Sequence, residues 1–188
     1  MAAQASFRIV PGLPAYGPMA TSFPPAWART GQEGLVIEFF PDDAKRWVAN
    51  FRPGPGGHTC AVQYPDRLRV LAVSSGAAWL VDPVAHSAEE LSVNVDGLWQ
   101  AEGSDDLILS RDGLAFLRIG SNGVQWHTRR LSWDGFSDVR VTRDEIRGRA
   151  CYPQDDEPVG FSVDVRTGRS SGGSYDQSDS MRWERLAE

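Results

Sequence analysis

The chain has 188 residues, a formal charge of −6 near neutral pH and 41% hydrophobic residues, among them seven tryptophans. That length suits one domain with a sizeable core, and the aromatic content is that of a folded chain rather than a disordered acidic tail. A net acidic surface argues against a protein that neutralises phosphates, so no nucleic-acid partner is expected. Of the 19 basic residues only Lys45 is a lysine, a bias given little functional weight.

The N-terminus has no basic start followed by an apolar run, and no window approaches the roughly 18 apolar residues of a membrane helix. A soluble, cytoplasmic protein made without export and without a membrane partner is expected. Cys60 and Cys151 lie far apart in the sequence without a paired spacing, and are read as buried free thiols.

Residues 1–34 are rich in proline, glycine and alanine and show no sustained period, so they read as an irregular arm. Within it, "SFRIV" at Ser6 to Val10 has the composition to pair as a strand and tie the arm down. From Leu35 the pattern changes to short apolar or alternating runs between turn residues, the signature of an all-β domain over residues 35–173. The best helical candidate, "DDAKRWVANF", is short and falls where a turn and a strand are wanted.

The runs line up as four units of roughly 30 to 40 residues. Their hairpins are "LVIEFFPDDAKRWVANF", "LRVLAVSSGAAWLVDP", "DLILSRDGLAFLRIG" and "VRVTRDEIRGRACYP". Each is followed by a loop and a third strand: "HTCAVQYPDR", "EELSVNVDG", "GVQWHTRRLSWDG" and "GFSVDVRTGR". Asp96-Gly97, Asp112-Gly113, Asn122-Gly123, Asp134-Gly135 and Thr167-Gly168 are expected to supply the positive φ of tight turns. Alternation along the third of these strands would place Val124, Trp126 and Thr128 on one face and Gln125, His127 and Arg129 on the other.

On "SRDGLAFL", "LSWDG" and "VRTGRSSGG" the chain resembles small bacterial β-propeller proteins of the WD-repeat-like and PQQ-like kinds, over about residues 35 to 173. The resemblance implies an all-β fold of repeated three- to four-stranded antiparallel units in a small or partial β-propeller; a twisted meander or a barrel is the alternative. No unit carries the Gly-His pair or the Trp-Asp dipeptide of a true WD repeat at its expected strand end, and Trp133-Asp134 leads directly into a glycine turn. Residues 174–188 form a polar tail after "GRSSGG", a hinge-like composition.

Catalytic and metal motifs are scarce. His58, His86 and His127 fall in different units, none at metal-site spacing, so no metal or cofactor is expected. "RPGPGGHTC" places His58 two residues before Cys60, which suggests a Cys-His pair but reads more simply as a loop joining two strands. The acidic clusters at Asp105-Asp106 and Asp155-Asp156-Glu157 sit in predicted connections, where loops of a rigid β scaffold carry binding surfaces.

These considerations lead to a non-enzymatic protein-binding module. In size, acidity and lack of export it resembles bacterial immunity proteins, which implies neutralisation of a basic toxin or enzyme. Asp105, Asp106, Asp155, Asp156 and Glu157 are the expected partner-binding residues, together with Trp183 in the tail, which must dock on the chain itself or on a partner. The alternative is a carbohydrate-binding protein or glycoside-acting enzyme with Trp99, Trp126 or Trp133 as stacking platforms and acidic groups for hydroxyls.

Overall fold

Short apolar runs broken every few residues by glycine, proline and aspartate are too short for helices, and their backbone groups are satisfied by pairing as strands. The computed structural model, which describes residues 6–17, 19–42, 44–152 and 157–175, is all-β. Its strands form four sheets of four. The first holds β1 (Phe7–Val10), β2 (Thr21–Phe23), β3 (Leu35–Phe39) and β4 (Trp47–Phe51) in the order β1-β3-β4-β2. The second is a sequential meander of β5 (Cys60–Gln63), β6 (Val70–Ser74), β7 (Ala77–Asp82) and β8 (Ser87–Ser92). The third comprises β9 (Val95–Gln100), β10 (Leu107–Arg111), β11 (Ala115–Gly120) and β12 (Gly123–His127). The fourth comprises β13 (Phe136–Val141), β14 (Glu145–Ala150), β15 (Val159–Asp164) and β16 (Ser170–Gly172), both again in chain order. The pairings are antiparallel except that of β2 with β4, which is parallel.

The chain divides into two compact units, 1–96 and 97–188. In the first, the sheets β1–β4 and β5–β8 share a core of Phe23, Phe39, Trp47, Phe51 and Trp79 with Ile37 and Val81. Ser74 links the two sheets, donating its hydroxyl to the Phe51 carbonyl at 3.0 Å and accepting Leu35 N–H at 3.2 Å. In the second unit the core is Phe116, Phe161, Ile108, Leu131, Ile146 and Val163, with Trp99, Trp126 and Phe136 leaning on it. Full burial of one such phenylalanine contributes about 2–3 kcal/mol, so each unit has its own apolar driving force.

All four hairpins fall where the repeat placed them, and "DDAKRWVANF" is the turn into β4 rather than a helix. The flanking strands are distributed differently. "SFRIV" becomes β1 on one edge of the first sheet, and Thr21–Phe23 supplies the other edge, so part of residues 1–34 is built into that sheet. "HTCAVQ" does not close the first unit but opens the second sheet, pairing with β6. "EELSVNVDG" is cut in two, with β8 closing the second sheet and β9 opening the third.

Two glycine-containing stretches depart from expectation. Asp96-Gly97 is not a turn but lies inside β9, where a Cβ at Gly97 would sit 2.3 Å from the Trp99 ring. "GRSSGG" is not a hinge: Ser170–Gly172 is strand β16, paired with β15. There Gly172 and Gly173 take positive φ values of 68° and 90° and come so close to the Gly160 and Leu131 carbonyls that a side chain would collide. The other four predicted turns do supply positive φ, at Asp112-Gly113, Gly123, Gly135 and Gly168.

Strand β12 alternates imperfectly. The register shifts between Arg118 and Ile119, Val124 is 63% exposed on the edge, and only Trp126 and Thr128 turn inward, Thr128 accepting the Phe116 N–H at 3.0 Å. The two arginines after it are clamps: Arg129 donates to the Gly172 and Tyr175 carbonyls at 2.8 and 2.9 Å. Arg130 lies over the rings of Trp133 and Tyr175.

Candidate functional site

The loop from β9 to β10 carries the expected pair Asp105-Asp106, and the structure gives its two members opposite orientations. Asp106 turns inward. Its Oδ2 accepts from Arg118 Nε at 2.8 Å and Nη2 at 2.6 Å, and both side chains are only 16% exposed. Arg118 also donates Nη1 to the Val165 carbonyl at 2.8 Å, tying the third sheet to the end of β15 in the fourth. Asp106 is thus an anchor whose charge is matched by Arg118 within the fold.

Asp105 faces solvent beside Glu102. The loop beneath them is held by Ala101 N–H on the Asp106 carbonyl at 2.8 Å, Ser104 N–H on the Ala101 carbonyl at 3.1 Å, and Gln100 Nε2 on the Ser104 carbonyl at 3.1 Å. Ser104 Oγ accepts Asp106 N–H at 3.2 Å. The result is an open concavity of about 580 Å³ along Gln100 to Asp105, lined by Glu102 and Asp105. Glu102 was not singled out from the sequence; its place one loop turn before Asp105 is the signal that marks it.

A second acidic group, Asp144, Glu145 and Asp164, is assembled by strand register. Glu145 and Asp164 are direct cross-strand partners on β14 and β15, and with Asp144 they line a polar concavity of about 380 Å³ that also contains Arg169 and serines. Like charges directly opposite are unfavourable unless matched. Glu145 meets Arg147, and Asp164 accepts from Thr167 N–H and Oγ at 2.7 Å each. The Thr167 hydroxyl and N–H, helped by Arg166, hold the Asp164 carboxyl below its ordinary range. These residues are 19 to 20 positions apart in the sequence, and only the β14–β15 pairing joins them.

Of the other expected partner residues, Glu157 is exposed, whereas Asp155, Asp156 and Trp183 lie outside the described residues. The three tryptophans weighed as stacking platforms are half-buried and engaged. Trp99 packs on Phe116 with ring centroids 6.2 Å apart, Trp126 donates Nε1 to the Val165 carbonyl at 2.9 Å, and Trp133 meets Tyr175 edge-on at 4.9 Å.

The Cys-His contact exists: Cys60 Sγ lies 3.4 Å from His58 Nε2. Burial pushes the Cys60 thiol above its ordinary value, opposite to the shift an activated nucleophile requires. His86 stacks on Trp47 with centroids 4.8 Å apart, and His127 is an exposed edge-strand residue. Among the described residues, no group of three or more His, Cys, Asp or Glu side chains is gathered to hold a metal. No described helix is long and apolar enough to cross a membrane. The chain matches no protein-family model and no curated protein.

Proposed function

We propose that this chain is a non-enzymatic binding protein of the immunity or inhibitor type that holds a basic protein partner. In this reading the four sheets are blades of a small or partial β-propeller, supported by their common size and by the sequential strand order of three of them. The observation that carries the function is the β9–β10 loop. It carries the exposed residues Glu102 and Asp105 on a hydrogen-bonded frame, while Asp106 and Arg118 fasten its base.

A fixed loop binds without the entropy cost of ordering a mobile one, and outward carboxylates on a chain of net charge −6 steer cationic partners toward it. The exposed Glu157 and the carboxylates at Asp144 and Asp164 extend the same sign of charge within the second unit. The expected contribution is mainly to association rate and orientation.

The test is affinity capture from the native host with the full chain and with a Glu102→Lys, Asp105→Lys variant, each eluted by rising salt. The proposal expects a basic protein held by the wild type at low salt, released at moderate salt, and associating about tenfold more slowly with the variant. No basic protein captured at low salt, or one that associates with both chains at the same rate while the variant melts like the wild type, would overturn it.

A further inference from the structure

The central strands of the first sheet, β3 and β4, are buried on both faces, and the face away from the core carries the buried polar groups Glu38 and Asn50 among valines. Alternation along β1, β3 and β4 sends Phe7, Ile37, Phe39, Trp47 and Ala49 to the core and Arg8, Val10, Glu38 and Val48 to the opposite side. That side is covered by residues 11–14 and by the segment before β3, where Asn50 donates to the Gln32 carbonyl and accepts Gly34 N–H. Between cover and sheet lies a cavity of about 530 Å³, well within the range of small-ligand sites.

At its polar wall stands Glu38, whose side chain is 4% exposed and is gripped from both sides. Arg8, its cross-strand partner, places Nε and Nη2 on Oε2 at 2.7 and 2.6 Å, and Arg46 places the same two nitrogens on Oε1. Both guanidiniums also lie over the Phe40 ring, at 5.5 and 5.2 Å. The lining's four charges, Arg8, Arg46, Glu33 and Glu38, sum to zero, with the two guanidiniums gathered on Glu38. Although more than half exposed, both are held in fixed orientation, and among the described residues their remaining N–H groups meet no other acceptor. The cavity's other walls are apolar, with Val10, Leu13 and Val48, except for Glu33, whose Oε1 accepts Leu13 N–H at 3.2 Å.

We propose that this cavity binds a small monocarboxylate carrying a compact apolar group. The carboxylate lies against Arg8 and Arg46, as planar paired donors favour, and the apolar part lies against Val10, Leu13 and Val48. Glu33 on the same wall repels a second anionic group and favours an ammonium. A hydrophobic amino acid and the C-terminus of a peptide both supply this chemistry. The site lies wholly in the first unit and does not depend on the proposed partner.

Titration calorimetry on the full chain tests it with N-acetyl-leucine, leucine, leucinamide and a short peptide ending in leucine. The carboxylates bind, and leucinamide binds at least about tenfold more weakly. Arg46→Lys, which keeps the charge but loses the paired donors, weakens N-acetyl-leucine by about fivefold or more. Leu13→Trp fills the cavity without touching the charged group and abolishes binding. Tighter binding of leucine than of N-acetyl-leucine identifies a free amino acid held at Glu33; equal binding of peptide and N-acetyl-leucine identifies a chain terminus. Absence of binding by all three carboxylates, equal affinity for leucinamide, or wild-type affinity in both variants would overturn the proposal.

Discussion

Adjacent acidic residues in this chain have different roles according to where the strand ends direct them. Asp106 is matched by Arg118 in a half-dry setting, so Asp106→Ala is expected to lower stability by about 3 kcal/mol in urea unfolding, because Arg118 and its link to Val165 lose their partner. Association with a basic partner should slow as well, because the loop that carries Glu102 loses its fastening, whereas Glu102→Lys should slow association without lowering stability. Asp66 shows how pH acts on such a group. Burial raises its carboxyl, but hydrogen bonds from the Arg69 N–H and side chain and from Leu68 N–H outweigh burial and hold it below its ordinary 3.8. A carboxyl lowered in the folded state contributes stability that is complete above about pH 4 and is lost as pH falls through the folded value. NMR titration of Asp66 should therefore show the β5–β6 turn opening only in acid, and Asp66→Asn should flatten that part of the pH–stability curve. Cys60 follows the opposite rule. With its thiol raised by burial, it should react with a disulfide reagent at pH 8 more slowly in the folded chain than in urea.

At the scale of elements, local chemistry decided the hairpins and long-range pairing decided their neighbours. Steps that end in glycine after aspartate, asparagine or threonine mark turns because few other residues accept positive φ, and four of the five predicted sites turn there. Asp96-Gly97 has the same composition but lies in β9, where the glycine makes room for Trp99. Gly97→Ala should cost about 2 kcal/mol in thermal unfolding by overpacking that ring, and adding Trp99→Leu should recover part of the loss. "HTCAVQ" and "EELSVNVDG" were legible as strands but not by sheet, since a strand with apolar residues fits the edge of either neighbouring hairpin. The acidic group at Asp144, Glu145 and Asp164 escaped notice for the same reason: it exists only in the β14–β15 register. Asp105 was legible as a surface carboxylate. That its neighbour would be an anchor was not, because Arg118 is brought to Asp106 by the β10–β11 pairing.

For the whole molecule, the separation into two cores predicts separable responses. Phe51→Ala and Phe116→Ala should each cost about 3–5 kcal/mol. Hydrogen exchange should rise first within 1–96 for the one and within 97–188 for the other. A uniform rise in both variants would show a single cooperative unit instead. By itself, the sequence determined the all-β class, the four hairpins, most of their turns and the net acidity of the surface, because these follow from residue spacing, φ preference and charge, which act over a few positions. Tertiary structure alone decided which sheet each flanking strand joins, that residues 7–10 and 21–23 belong to the first sheet, which carboxylates face inward, and that Glu38 lies buried between two arginines beside a cavity. Those outcomes depend on contacts between segments distant along the chain, whose pairing is chosen by the collective burial of the core and not by any local motif.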